Sequence, residues 1–125
     1  MSKLLEGKVA AITGGVTGIG RAIAIDYLRH GASVVINHYP DDKSATQFQD
    51  LASEVGQHAS IVAVPGDISK PGTGQELVAK AVEKYGKLDV FVSNAGVCEF
   101  ADFLTCVFPI TPVLFRVANE YKDIP

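Results

Sequence analysis

Three glycines near the start of the chain are spaced so that the backbone can hold a phosphate group. Gly14, Gly18 and Gly20 follow a run of four apolar residues, 9–12, and precede a helical pattern. Glycine reaches positive φ at little cost and lets a ligand approach the backbone closely. The N-terminus of a helix presents free N–H groups and a partial positive charge. The stretch therefore predicts a phosphate-binding turn, against the alternative of a tight strand-to-helix turn that holds no ligand.

Polar residues follow the later strands of the chain as well. Asn37 and His38 end the second predicted strand, Asp67 follows the third, and Asn94 follows the fourth. Ligands of open parallel sheets bind outside the carboxyl ends of the strands, so these positions are expected to line one site. Three of them also have a purely structural interpretation, with His38 as an ordinary loop side chain, Asp67 as a turn cap and Asn94 as a strand-ending residue.

The elements that position these residues alternate between strand and helix. Runs of apolar residues predict four strands, over 9–12, 33–37, 60–64 and 88–93. Apolar residues that recur at one-turn intervals predict three helices between them. The first covers 19–29, the second is capped by Asp41 or Asp42 and runs to about 55, and the third covers 73–85. The side chains predicted to face inward from these helices are Ile19, Ile23, Tyr27, Phe48, Leu51, Val55, Leu77, Val78, Ala81 and Val82. Successive strand–helix–strand units form right-handed crossovers. The sequence thus predicts the α/β class, with a doubly wound parallel sheet of about four strands and flanking helices.

Composition narrows the class of protein. The 125 residues suffice for one domain with one core, and 47% apolar with 20% charged residues is typical of a soluble globular chain. A formal net charge of −3 offers no electrostatic reason to expect nucleic acid as a partner. Cys98 and Cys106 lack metal-ligand spacing and do not make a disulfide framework, which favours a reducing compartment. Neither a signal peptide nor an apolar stretch of membrane length is seen. We therefore expect a cytoplasmic protein with no metal site and no membrane partner.

Three short motifs occur together in one order along the chain. They are Thr13-Gly14-Gly15-Val16-Thr17-Gly18-Ile19-Gly20, Gly66-Asp67-Ile68 and Ser93-Asn94-Ala95-Gly96. In this order and spacing they resemble the motifs of the short-chain dehydrogenase/reductase family, and the sequence between them is similar to the sugar dehydrogenases of that family. The resemblance implies an incomplete Rossmann-type doubly wound sheet. It also implies a single truncated domain over 1–125, family-like over 1–104 and divergent over 105–125.

The same resemblance implies that the chain binds NAD or NADP through the residues of these motifs. The pyrophosphate would lie against Gly14, Gly18 and Gly20, with further backbone or side-chain contacts from Val16, Thr17 and Ile19. The adenine would be held by Asp67 and Ile68. The strand end and the nicotinamide-side ribose would be supported by Asn94, Ala95 and Gly96.

The end of the second strand bears on the choice between the two cofactors. An acid at this place binds the ribose 2′-hydroxyl and repels a 2′-phosphate, but the sequence here reads Asn37-His38-Tyr39. There is no arginine to bind a 2′-phosphate either, and Thr17 stands where some NADP enzymes carry a basic residue. The absence of repulsion favours NADP or dual use, with Asn37 and His38 beside the ribose and His38 as a weak phosphate donor.

The residues that perform the chemistry in the family are not found in this sequence. The family uses a serine and a Tyr-x-x-x-Lys pair, which one face of a helix presents well after the Asn-Ala-Gly motif. The one match here, Tyr39 to Lys43, contains Pro40 and precedes that motif, so no catalytic residue is assigned. Two functions stay open. One is an NAD(P)-dependent oxidoreductase acting on an alcohol or carbonyl, such as a sugar or polyol, and the other is a catalytically inactive, truncated dinucleotide-binding fragment.

Truncation also bears on the partners of the chain. The resemblance implies a small-molecule alcohol or sugar as substrate only of a complete form, and complete members of the family are usually homo-oligomers. In a truncated sheet the fourth strand is an edge that exposes apolar residues in the segment 88–92. Such edges favour association, so we expect the isolated chain to aggregate or to dissolve poorly.

Overall fold

Strands and helices alternate along the part of the chain that the computed structural model describes, residues 3–95. The strands are β1 (Val9–Thr13), β2 (Ser33–His38), β3 (Ile61–Pro65) and β4 (Val90–Val92), and the helices are α1 (Gly18–Arg29), α2 (Asp42–Val55) and α3 (Thr73–Tyr85). Each predicted element is present, and its bounds differ from the predicted ones by at most two residues. None of these helices combines the length and the hydropathy of a membrane span. Gly96 and the segment 105–125, for which divergence is predicted, lie outside the described residues.

The four described strands form one parallel sheet in the order β3-β2-β1-β4. Val9 of β1 pairs with Ser33 of β2, and Ala10 pairs with Val90 of β4, so β1 lies between these two strands. The predicted parallel sheet of an α/β protein is therefore confirmed. Because these strands all run in one direction, the loops that leave their carboxyl ends share one edge of the sheet.

Helices cover both faces of the sheet, as a doubly wound fold requires. On one face Ile12 and Ile36 pack with Leu51 of α2 and with residues of α1. On the other face Val35 packs with Leu77 of α3. Neighbouring residues of a strand point to opposite faces, which is why Val35 and Ile36 belong to different clusters. All five residues of β1 are buried, as is typical of a central parallel strand with helices on both sides.

Two of the helical residues predicted to face inward do not. Ile19 is 73% exposed and Val82 is 44% exposed. Ile19 is the second residue of α1 and lies at the carboxyl edge of the sheet, where no described element covers it. Val82 follows Leu77 by five residues, which places it about 140° around the helix from that buried side chain. The pattern of one-turn intervals detects the helix correctly and extends the buried face too far at these two positions.

Two aspartates mark the start of elements. Asp41 Oδ1 accepts the N–H of Ser44 at 2.7 Å and caps α2, and hydrogen bonds from Ser44 lower the pKa of the Asp41 carboxyl. Asp89 precedes β4, and its Oδ2 accepts the N–H of Val9 at 2.8 Å. The Asp89 N–H in turn donates to the Val9 carbonyl at 2.8 Å. This reciprocal pair ties the start of β4 to the start of β1.

Candidate functional site

The candidate residues within the described chain lie where strands β1 to β4 end, on one edge of the sheet. Hydrogen bonds join the neighbouring strand ends to one another. The Gly15 N–H donates to the Asn37 carbonyl at 3.2 Å, and the Gly66 N–H donates to the His38 carbonyl at 2.9 Å. The turn after β1, the end of β2 and the loop after β3 thus form one continuous surface.

The glycines of the first turn are required for different reasons. A Cβ on Gly20 would lie 2.4 Å from the Gly14 carbonyl oxygen and 2.5 Å from Asn94 Nδ2, so any side chain there would separate α1 from the turn. Gly18 has a φ of +56°, and no described atom lies within 4 Å of the place its Cβ would take. Gly14 has a φ of +62°. Among the described residues, Gly18 therefore leaves room for a ligand to approach the backbone, as several other glycines of the chain do, and its place at the start of α1 distinguishes it from them.

Among residues 3–95, no side chain caps the N-terminus of α1 or balances its partial positive charge. Its N-cap, Thr17, makes no side-chain cap hydrogen bond, and the first turn carries no acidic residue. Within residues 3–95 the N–H groups of 18–20 have no recorded acceptor, and the first bond of the helix runs from the Arg21 N–H to the Thr17 carbonyl. By contrast, Asp41 caps α2, and α3 has Glu76 in its first turn. Free donors at a helix N-terminus favour an anion.

The side chains of the turn differ in what they offer a ligand. Val16 is 5% exposed and packs in the core with Ile12 and Ile36, so only its backbone is available. Thr17 is exposed and, as noted above, makes no cap bond through its hydroxyl. Ile19 is exposed at the rim of the turn. The core position of Val16 limits the predicted contact to its main chain.

A threonine joins the end of β1 to the end of β4. Thr13 Oγ1 accepts the N–H groups of Asn94 and Ala95, each at 3.0 Å. Asn94 Nδ2 donates to the carbonyls of Thr13 and Gly14, each at 3.2 Å. Asn94 and Ala95 thus support the glycine turn. Thr13 has no assigned role in the sequence analysis, although a hydroxyl that ends an apolar strand is the signal that marks it.

The two candidates at the end of β2 are both buried. Asn37 is 2% exposed and His38 is 4% exposed. His38 stacks on Phe48 with ring centroids 6.1 Å apart, so it is a packed residue at the end of β2 rather than a loop residue, and its contact with a phosphate stays a prediction. His38 Nδ1 lies 2.8 Å from the Tyr39 carbonyl, which accepts only, so Nδ1 carries the hydrogen. Nε2 of the neutral ring is then an acceptor.

Asp67 and Ile68 lie in the loop after β3. Asp67 Oδ1 accepts the N–H of Ser69 at 2.9 Å and its hydroxyl at 2.6 Å. The side-chain bond from Ser69, followed by its backbone bond, lowers the pKa of the Asp67 carboxyl. The carboxylate thus caps a turn, as its structural interpretation predicts, while Oδ2 has no recorded partner within residues 3–95. Ile68 is half-buried. A carboxylate has several acceptor positions, so the cap leaves room for a ligand donor.

The sequence matches the family model described as short chain dehydrogenase over residues 8–108. It is 53% identical over 121 residues to an L-rhamnose-1-dehydrogenase of Scheffersomyces stipitis, an alignment that covers 95% of this chain and 45% of the relative. It is 48% identical to an L-rhamnose 1-dehydrogenase (NAD(P)(+)) of a Sphingomonas species, covering 92% of this chain and 44% of the relative. The predicted resemblance, including that to sugar dehydrogenases, is confirmed.

Solved structures share the fold. A short-chain dehydrogenase/reductase from Serratia marcescens superposes with a TM-score of 0.78 at 28% identity, over 93% of this chain and 50% of that one. A protein titled glucose/ribitol dehydrogenase from Brucella melitensis gives a TM-score of 0.76 at 25% identity, over 95% of this chain and 52% of that one. The chain thus spans about half the length of the relatives and structures it matches.

Proposed function

The chain belongs to the short-chain dehydrogenase family, and on that basis we propose that it supplies the dinucleotide-binding half of an NAD(P)-dependent oxidoreductase. The observation that carries the proposal is the N-terminus of α1, which has neither a side-chain cap nor an acid in its first turn. It stands behind a glycine whose missing Cβ opens onto empty space. A pyrophosphate is the group that such donors and such space accommodate.

The proposed site divides the dinucleotide among the strand ends. The pyrophosphate would accept hydrogen bonds from the N–H groups of 18–20, beside the turn that Gly14 begins. The missing side chain of Gly14 lets that turn pack on Ala95, whose Cα would lie 3.1 Å from a Cβ at this position. Asp67 and Ile68 would hold the adenine through the free Oδ2 and the apolar side chain. The segment 94–96 would support the ribose on the nicotinamide side. When bound, the nicotinamide supplies the hydride donor or acceptor of the reaction.

NADP or dual use is the proposed cofactor preference. No acid stands at the end of β2, so nothing there repels a 2′-phosphate. The next acid along the chain, Asp41, lies beyond this strand end as the ionised cap of α2. Among the relatives, the Sphingomonas protein is named for NAD(P)(+), and one from Thermoplasma acidophilum, 42% identical over 115 residues, is named for NADP(+).

A sugar or polyol is the proposed substrate class of the complete enzyme. Four of the relatives carry the name L-rhamnose 1-dehydrogenase, which makes L-rhamnose the first substrate to assay. Oxidation would remove a hydride from the carbon that bears the hydroxyl and release the hydroxyl proton.

A second function, binding without turnover, is favoured by one observation. The Tyr-x-x-x-Lys match of this sequence does not lie on one helical face, because Tyr39 follows β2 and precedes the turn that leads to Lys43 in the first turn of α2. A tyrosine and a lysine placed in this way cannot share a proton at a substrate oxygen as a helical pair does.

Two measurements on the 125-residue chain separate these functions. The chain has no tryptophan, so the emission of reduced nicotinamide can be titrated with little protein background. We expect NADPH to bind at least as tightly as NADH. Binding together with reduction of NADP by L-rhamnose supports the oxidoreductase over binding without turnover. Binding without reduction is expected both of a dinucleotide-binding half by itself and of the second function, and the absence of binding for both nucleotides contradicts both.

A further inference from the structure

We propose that Asn37 is a positioning residue that aligns the glycine turn after β1 with the loop after β3. The inference rests on the proposed dinucleotide site, because it concerns the two loops that would hold opposite ends of the adenosine diphosphate part. From the sequence, Asn37 is predicted to contact the cofactor. The structure instead engages both its amide nitrogen and its main-chain carbonyl with the protein.

The side chain of Asn37 ties β2 to the exit of β3. Its Nδ2 donates to the carbonyl oxygens of Val64 at 3.2 Å and Gly66 at 3.0 Å. Both partners are acceptors only, so the amide nitrogen must face them and the orientation of the group is determined. Asn37 is 2% exposed, and loss of a buried donor leaves its acceptors unsatisfied. The two bonds therefore hold the backbone that leads directly into Asp67.

The main chain of the same residue holds the glycine turn. The Asn37 carbonyl accepts the Gly15 N–H at 3.2 Å. A Cβ on Gly15 would lie 2.8 Å from Ile36 Cγ2, and a Cβ on Gly66 would lie 2.8 Å from Thr73 Cγ2. Both loops are therefore packed closely against their neighbours. Because Asn37 is bonded to the Gly15 N–H and to the Gly66 carbonyl, we expect a shift of β2 at Asn37 to disturb both loops. Thr73 Oγ1 donates to the Asp67 carbonyl at 2.7 Å and is a second anchor of the loop after β3.

A change in the spacing of the two loops should affect a large nucleotide that contacts both of them more than a small one that contacts only the turn. NADPH would use both loops at once, with its pyrophosphate at the turn and its adenine beside Asp67. Reduced nicotinamide mononucleotide lacks the adenosine and would use the turn and the end of β4 only. A residue that sets the spacing of the two loops must therefore affect NADPH much more than the mononucleotide.

The test compares Asn37→Leu with Val35→Ala in the 125-residue chain. Leucine has a similar volume and no donor, while Val35 is fully buried on the same face of β2, packs with Leu77 of α3 and has an aliphatic side chain that makes no hydrogen bond to either loop. We expect Asn37→Leu to weaken NADPH binding at least tenfold and mononucleotide binding less than twofold. We expect Val35→Ala to lower stability and to change the ratio of the two affinities less than twofold.

Asn37→Ser keeps one donor, so its NADPH affinity should fall between those of wild type and Asn37→Leu. This variant replaces Asn37→Leu in the test if Asn37→Leu does not fold.

Amide hydrogen exchange of the ligand-free chain tests the same role of Asn37 without any nucleotide. The quantity compared is the exchange rate of the Gly66 amide divided by that of the β1 amides. This ratio should rise above the wild-type value in Asn37→Leu and Asn37→Ser. In Val35→Ala it should stay unchanged. Equal loss of affinity for both nucleotides, or an unchanged Gly66 ratio, overturns the inference. If wild type binds neither nucleotide, the proposed function fails, and the exchange data still decide whether Asn37 positions the loop.

Discussion

Gly18 and Gly20 lie two residues apart in one turn, and each has its own reason to be glycine. Gly18 adopts a φ of +56° and faces open space. Gly20 has helical backbone, but the Gly14 carbonyl occupies the place of its side chain. The first requirement comes from the conformation, to which the proposed pyrophosphate would add a need for open space, and the second comes from packing within the protein.

We predict that Gly18→Ala weakens NADPH binding at least tenfold, which corresponds to about 1.4 kcal/mol. The new methyl group would stand in the space proposed for the pyrophosphate. An L-residue in left-handed conformation also costs roughly 1–2 kcal/mol of stability. Fluorescence titration with NADPH measures the first effect, and urea unfolding measures the second.

The matched control for this change is Gly86→Ala. Gly86 ends α3 with a φ of +82°, and its Cβ would likewise meet no described atom within 4 Å. It should lower stability by a similar amount and leave NADPH affinity within twofold of wild type. Similar losses of affinity in the two variants would show that Gly18 acts through stability alone.

At the scale of elements, α1 packs against the turn at a glycine, and this contact brings its free N–H groups to the strand ends. We predict that Gly20→Ala destabilises the chain by about 1–3 kcal/mol, because a Cβ 2.4 Å from a carbonyl oxygen forces α1 away from β1. Helix propensity alone predicts the opposite sign, a gain of about 1 kcal/mol for alanine over glycine. Urea unfolding of Gly20→Ala decides between the loss expected from packing and the gain expected from helix propensity. A more stable variant would contradict the packing seen here.

The reciprocal hydrogen bonds between Val9 of β1 and Asp89 before β4 should make the stability of the chain depend on pH. The Val9 N–H, and after it Lys87, lower the pKa of the Asp89 carboxyl. Because folding lowers this pKa, the ionised group stabilises the folded state fully above its unfolded pKa of about 3.9. That contribution is lost as the pH falls through the lower folded value. We expect Asp89→Asn to show a smaller loss of stability than wild type between about pH 5 and pH 2, measured by urea unfolding at each pH.

Lys87→Met is the companion variant for this experiment. Lys87 Nζ lies 3.1 Å from Asp89 Oδ2, but the backbone bond from Val9 is the larger influence on the pKa. Lys87→Met should therefore keep most of the acid sensitivity that Asp89→Asn removes. A wild-type chain and an Asp89→Asn chain with the same pH dependence would exclude this carboxylate as a source of acid sensitivity.

At the scale of the whole molecule, the described sheet has β4 at one edge. Within residues 3–95, β4 pairs only with β1, and its three residues are half-buried. An apolar strand at the margin of a sheet favours association wherever no further strand pairs with it. If β4 is such an edge in the 125-residue chain, the chain self-associates as its concentration rises, as measured by light scattering after size exclusion.

Two lysine substitutions test whether β4 is the surface responsible. Val90→Lys places a charge on β4, and Val82→Lys places the same charge on the exposed side of α3. The first should reduce association more than the second, because a charged edge strand resists pairing. A monodisperse monomer in the wild-type chain would refute the prediction.

Much of this organisation follows from local sequence. The elements are found within two residues of their predicted bounds, because apolar periodicity and helix-ending glycines act over one or two turns of chain. The common edge for the candidate residues follows as well, since strand–helix–strand units make the strands parallel. The exposed Ile19 and Val82 show the limit of this reasoning, because burial depends on what lies opposite a helix.

The amino-acid sequence by itself determined the family, the order of the elements and the edge at which a dinucleotide is proposed to bind, because these depend on motifs and on neighbours along the chain. Only the tertiary structure decided which atoms of the candidate residues are already engaged. Asn37 Nδ2 meets carbonyls 27 and 29 residues away, and Asn94 Nδ2 meets the Gly14 carbonyl 80 residues away. Such partners are chosen by distances between strands, and those distances exist only once the sheet has formed.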